Sequence, residues 1–139
     1  MAAERKKVRV LFLCTGNSCR SQIAEALTNA RFPAWQAFSA GVHPTGTVHP
    51  MTVQVLQEIG IEHHGRSKSV EAFRGKGFDL VITVCDDANE ECPVWLGKGR
   101  RIHESFPDPA IAEGTEAKRL ATFRQVRDRI YKKLPQILS

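Results

Sequence analysis

Short apolar runs alternate with longer amphipathic stretches along this chain, and that alternation narrows the possible folds most. Val8-Arg9-Val10-Leu11-Phe12-Leu13 is a brief β-favouring run and reads as a buried strand. Ser21 to about Arg31 follows as a helix, with Ile23, Ala24, Leu27 and Ala30 on one face. Trp35 to Ala40 reads as a second strand, stopped by Gly41 and the Pro44-Thr45-Gly46 turn. Pro50 suits the first turn of the next helix, Met51, Val55, Leu56 and Ile59 give its apolar face, and Gly60 suits its end. Ser67 is expected to cap a short helix carrying Val70 and Phe73. Phe78 to Val84 is the clearest buried strand, and Arg101 to His103 is a weak edge strand. Thr115 to Leu134 reads as a long closing helix, with Leu120, Phe123, Val126, Ile130 and Leu134 three or four apart. Strands alternating with helices predict an α/β fold with a parallel sheet covered by helices on both faces. A length of 139 residues fits one domain over 1–139, and no repeat, low-complexity tract or linker interrupts it.

Composition removes several function classes. Hydrophobic residues make up 42% and charged residues 25%, which disfavours a disordered tail or a fibrous repeat. The net charge of +5 suits anionic small substrates, and the basic residues are too scattered for a nucleic-acid binder. Lys118, Arg119, Arg124, Arg127, Arg129, Lys132 and Lys133 read as the wet face of the closing helix. No apolar stretch is long enough to span a bilayer, and the run after the charged start is too short for a signal-peptide core. A cytoplasmic location is expected.

The chemistry concentrates after the first strand. Cys14-Thr15-Gly16-Asn17-Ser18-Cys19-Arg20 joins a strand to a helix start, so successive backbone N–H groups can face one concavity that suits a tetrahedral oxyanion. Arg20 is suited to grip two oxyanion atoms with its planar fork. The same field would favour a Cys14 thiolate, and Ser21 is placed to donate a hydrogen bond to it. Gly16 permits the tight path, and Asn17 tolerates a positive φ. Cys19 reads as a small packed residue at the helix start. Cys85 sits, like Cys14, at the carboxyl end of a strand, where sites form in parallel sheets. Four cysteines without a secretion signal are more often catalytic or metal-binding than structural staples. A pair of packed cysteines at Cys85 and Cys92, or a zinc site completed by His63-His64, are the rival readings.

Cys14 to Ser21, with Gln22-Ile23-Ala24-Glu25 and Ser39-Ala40-Gly41, resembles the phosphate loop region of the low-molecular-weight protein tyrosine phosphatase superfamily. Val84-Cys85-Asp86-Asp87-Ala88-Asn89-Glu90-Glu91-Cys92-Pro93 resembles the redox segment of its thioredoxin-coupled arsenate reductases. Asp108-Pro109-Ala110 and Phe123 to Asp128 continue the likeness. The resemblance implies a four-stranded sheet of order 2-1-3-4 and reduction of arsenate to arsenite for arsenic detoxification. Cys14 would be the nucleophile, Arg20 the clamp, Ser21 the thiolate donor, and Asp108 the general acid. Thr15, Gly16, Asn17, Ser18, Cys19 and Arg20 would bind the oxyanion. Cys85 and Cys92 would relay electrons by thiol–disulfide exchange. If a helix separated them, their α-carbons would start roughly 10 Å apart, so the poor helix formers of Asp86–Glu91 would have to unwind. Pro107 stands where an acidic residue is frequent in the reductases. The resemblance also implies an optional potassium ion at Asn17, Glu25 and Ser39, although the Arg66-Ser67 region departs from that pattern. No organic cofactor motif is present. Thioredoxin is the expected electron donor, with neither nucleic acid nor membrane as partner, and the chain is expected to be a monomer. A phosphotyrosine phosphatase using the same loop is the nearest alternative, and a non-catalytic oxyanion-binding redox sensor the second. An aromatic wall beside the loop would favour the phosphatase, but Trp35, Trp95 and Tyr131 all lie far from it in sequence.

Overall fold

The computed structural model describes residues 7–86, 95 and 97–138. Four strands form one parallel sheet in the order β2-β1-β3-β4: β1 (Val8–Cys14), β2 (Trp35–Gly41), β3 (Leu80–Thr83) and β4 (Arg100–His103). The expected strand order and parallel pairing hold. Three helices accompany them: α1 (Arg20–Arg31), α2 (Pro50–Gln57) and α3 (Glu116–Ile137).

The period-2 pattern of β1 divides the core. Val10, Phe12 and Cys14 face a cluster that contains Ile23, Ala24 and Leu27 of α1 and Val126, Ile130 and Leu134 of α3. Leu11 and Leu13 face the other way, onto Phe73, Phe78, Val81 and Trp95. There Phe38, Phe73, Phe78 and Trp95 meet edge to face. Val10 to Leu13 are completely buried, and burial of each large side chain contributes roughly 1.5–3 kcal/mol. β1 is thus the axis of the domain, and its C-terminal end places Cys14.

Five local expectations change. Ala30 is exposed, because α1 turns that face to solvent near its end. β3 spans only four residues, since Asp79 uses its carboxylate to accept from the Arg9 N–H at 2.8 Å. Ser67 does not cap the short 3₁₀ turn Val70–Phe73. Its hydroxyl donates to Gly16 O at 3.0 Å and accepts from Gly46 N, so Ser69 takes the cap by accepting from Glu71 N. Arg127 is not on the wet face of α3. It is buried, donating to Val55 O at 2.7 Å and to Glu58 at 3.1 Å. The helix also runs beyond Leu134 through Pro135. Burial of Ile137 and Leu138 offsets the hydrogen bond that proline cannot make.

Candidate functional site

The loop after β1 carries the site. α1 begins at Arg20 with no side-chain cap and no acidic residue in its first turn. Neither its N-cap side chain nor an acid of its first turn neutralises the positive dipole end, which favours an anion there. Asn17 holds φ +49, as expected for a residue whose short amide tolerates that region. This aims the Asn17 backbone N–H at Cys14 Sγ, 3.2 Å away. Gly41 at the end of β2 lets the loop pass closely: a Cβ there would lie 2.5 Å from Thr15 O and 2.9 Å from Asn17 N.

Around the sulfur the donors can be assigned. Asn17 Oδ1 accepts from Lys68 N at 2.9 Å and from Gln22 Nε2 at 3.0 Å. Its Nδ2 must therefore face Ser21 Oγ, at 2.8 Å. Ser21 accepts that bond and has one proton left, which points to Cys14 Sγ at 2.8 Å. The sulfur thus receives an O–H and an N–H, both of which bind a thiolate better than a thiol. Asn17, Ser21 and Gln22 have no exposed surface, so water does not compete. Behind them Gln22 Nε2 also donates to Arg66 O at 2.8 Å, and Gln22 Oε1 meets His63 Nε2 at 2.7 Å. That geometry puts the His63 proton on Nε2. Burial lowers the His63 pKa, helped by Lys68 and His64.

A cavity of about 290 Å³ opens over the sulfur, lined by Cys14, Arg20, Thr47, His49 and Asp108 among others. Arg20 is 3% exposed and donates to Phe106 O at 3.2 Å. Its Nη2 lies 3.8 Å from Asp108 Oδ2. Asp108 Oδ1 accepts from Ala110 N and caps the 3₁₀ turn Pro109–Ile111, with the extended backbone that Pro109 favours. His49 caps α2 by accepting from Met51 N on Nδ1 at 3.1 Å. Burial and Arg119 lower its pKa, against the pull of Asp108. Cys19 packs with Met51, Val55, Leu120 and Phe123, as expected of a packed residue. Burial pushes its thiol up to about 11, which makes it a poor nucleophile.

Cys85 lies just past β3, beside β1. Leu13 pairs with Thr83, and Val84 N donates to Leu13 O at 2.8 Å. Cys14 and Cys85 thus leave the carboxyl ends of adjacent parallel strands. Cys14 and Cys19 are free thiols, whereas Cys85 is disulfide-bonded. Cys92 and the rest of segment 87–94 lie outside the described residues. His63 faces Gln22 and His64 pairs with Glu62 at 3.4 Å, so the two histidines do not converge. Among the described residues no group of three or more His, Cys, Asp or Glu is arranged to hold a metal ion.

The oxygens of the potassium expectation are already engaged in hydrogen bonds. Asn17 Oδ1 accepts two N–H groups. Ser39 Oγ donates to Glu25 Oε1 at 3.2 Å, and Lys68 Nζ stands 3.9 Å from that same oxygen. With Lys68 there, this set does not fit potassium.

The family model described as low molecular weight phosphotyrosine protein phosphatase matches residues 9–139. The chain belongs to that family. It is 42% identical over 131 residues to an arsenate reductase of Halalkalibacterium halodurans, covering 93% of each chain. Among solved structures it resembles an arsenate reductase from Archaeoglobus fulgidus, with a TM-score of 0.74 and 29% identity, over 91% of this chain and 98% of that one. It also resembles a thioredoxin-dependent arsenate reductase of Corynebacterium glutamicum, with a TM-score of 0.64 and 25% identity, over 95% of this chain and 62% of that one.

Within this phosphatase-like frame the loop residues Cys14 to Ser21 and the distant Asp108 come together. Sequence reasoning missed His49, because a histidine is not an ordinary helix cap. It also missed Lys68 and named His63 only as a zinc ligand, because their contacts with Asn17 and Gln22 cross more than forty residues. Gln22 was visible only as a family match. A fully buried glutamine among apolar helix positions was the physical signal.

Proposed function

We propose that this chain reduces arsenate to arsenite, using Cys14, Cys85 and Cys92 in turn and thioredoxin as the electron donor. The observation that carries the reading is the pairing of a donor-rich Cys14 with Cys85 at the end of the adjacent strand, since phosphate-ester hydrolysis needs only the first. Arsenate enters the cavity with its oxygens on the loop N–H groups and the Arg20 guanidinium. Cys14 Sγ attacks arsenic, and an oxygen leaves as water with a proton from Asp108. The Cys85 thiolate then attacks Cys14 Sγ. The S–As bond breaks, its electron pair goes to arsenic, and arsenite departs, leaving a Cys14–Cys85 disulfide. The Cys92 thiolate attacks Cys85 and releases Cys14 as a thiolate. Two electrons from thioredoxin reduce the Cys85–Cys92 disulfide and close the cycle. The arsenate reductases among the relatives, one of them thioredoxin-dependent, support the substrate and the donor.

The test is a single-turnover arsenite assay with peptide mapping. Cys92→Ser should yield roughly one arsenite per enzyme and stall as Cys14–Cys85. Cys85→Ser should stall before reduction while slowly hydrolysing p-nitrophenyl phosphate. Repeated turnover by Cys92→Ser with thioredoxin as sole reductant, or a trapped disulfide lacking Cys85, overturns the relay. Absence of arsenite from the unaltered chain, with phosphate-ester hydrolysis intact, makes it a phosphatase.

A further inference from the structure

We propose that Lys68 is a positioning residue whose ammonium serves as a built-in monovalent cation for the nucleophile loop, in place of a bound potassium ion. The inference builds on the role given to Cys14 above. Lys68 holds the loop from both ends of the residue. Its backbone N–H donates to Asn17 Oδ1 at 2.9 Å, and its backbone carbonyl accepts from Gly41 N at 2.9 Å. Its ammonium donates to Arg66 O at 2.9 Å, the same carbonyl that accepts from Gln22 Nε2. Gln22 in turn donates to Asn17 Oδ1. The amide that orients Ser21 toward the sulfur is therefore gripped by two arms, and both lead back to Lys68.

The ammonium also faces a carboxylate that needs a positive charge. The Glu25 side chain is 13% exposed and that of Lys68 24%, with 3.9 Å between Oε1 and Nζ. A poorly hydrated carboxylate left without a cation must either take up a proton or draw in another cation. The charged or titratable groups around this point are Glu25, His63 and Arg66, and His63 Nε2 lies 4.0 Å from Glu25 Oε2. Shortening Lys68 would leave a space bordered by the Glu25 carboxylate, the Ser39 hydroxyl and the Arg66 carbonyl. Those are hard oxygen donors, suited to an alkali cation.

The experiment follows iodoacetamide alkylation of Cys14 at neutral pH by mass spectrometry, in potassium chloride and in tetramethylammonium chloride of equal ionic strength. The second cation is too large to enter. The unaltered chain should react at the same rate in both salts. Lys68→Ala should react about tenfold more slowly in tetramethylammonium, the scale of coupling through such a network, and recover in potassium. Lys68→Arg should stay near the unaltered rate in both. Potassium dependence of the unaltered chain overturns the proposal, and this arm needs no variant to fold. So does a Lys68→Ala rate that is unchanged, or slowed equally in both salts. Alkylation requires no arsenate: a chain that alkylates as expected yet reduces none overturns the functional reading and leaves the role of Lys68 standing.

Discussion

Gly41→Ala is the sharpest test of how the nucleophile loop is held. The φ of Gly41 is not positive, so the substitution carries no backbone strain and acts only through the added methyl. That methyl would sit 2.5 Å from Thr15 O and 2.9 Å from Asn17 N. Ordinary contact begins near 3.4 Å, so the loop must retreat by about 0.9 Å, a small overpacking that costs ~1–3 kcal/mol of stability. The Asn17 N–H starts 3.2 Å from Cys14 Sγ, and such a retreat carries it to the edge of hydrogen-bond reach. A misplacement of about 1 Å in a catalytic group costs ~10²-fold in rate, or about 2.7 kcal/mol of transition-state stabilisation. The assay pairs single-turnover arsenite formation with thermal melting. Gly77→Ala is the control, because Gly77 has no positive φ and nothing within 4 Å of its added Cβ. It should leave the rate unchanged and raise stability by ~0.4–1 kcal/mol. A Gly41→Ala protein with the unaltered rate and melting temperature would refute the close-passage argument.

Two further outcomes follow from buried polar groups. Arg127→Met leaves Val55 O without its donor and Glu58 with Arg124 alone, and should cost ~1–3 kcal/mol in a urea melt; the exposed Arg129→Met should be neutral by the same measure. Burial lowers the folded pKa of His63 from 6.5, so between that lowered value and 6.5 the unfolded chain binds more protons. Stability should therefore rise with pH through this window and fall on acidification below 6.5. His49 acts in the same sense and Glu25, whose pKa burial raises, in the opposite one. The decisive measurement is the difference in melting temperature against pH between His63→Gln and the unaltered chain. A His63→Gln profile as steep as the original removes His63 as a contributor.

The strands and the nucleophile loop were legible because each rests on local chemistry. The apolar, β-favouring run before Cys14, the glycine and asparagine in the turn, and the amphipathic period of α1 are readable within a few residues. Ser67 was misread for the opposite reason. Its neighbours favour a local cap, but Gly16, 51 residues away, claims the hydroxyl first. Arg127 shows the same limit: a charged residue on a helix normally faces water, and only the Val55 carbonyl on α2 explains its burial. Lys68 combines both cases. Its spacing from Glu25 carries no periodic signal, and the contact exists only because the loop before the 3₁₀ turn crosses the end of β2. Chemistry carried by one loop could be read from sequence, whereas chemistry assembled across the sheet could not.

The central position of β1 reaches beyond packing. Amide groups on a strand paired on both sides, with every side chain from Val10 to Leu13 buried, exchange with solvent only when the whole sheet opens. The nucleophile is the last residue of that strand. Its position is therefore a property of the global fold, kept until the sheet itself opens, while its sulfur stays accessible through the cavity above it. A stabilising substitution on the far side of α3 should slow amide exchange from Val10 to Leu13, while peroxide inactivation of Cys14, which proceeds through the open cavity, stays as it was.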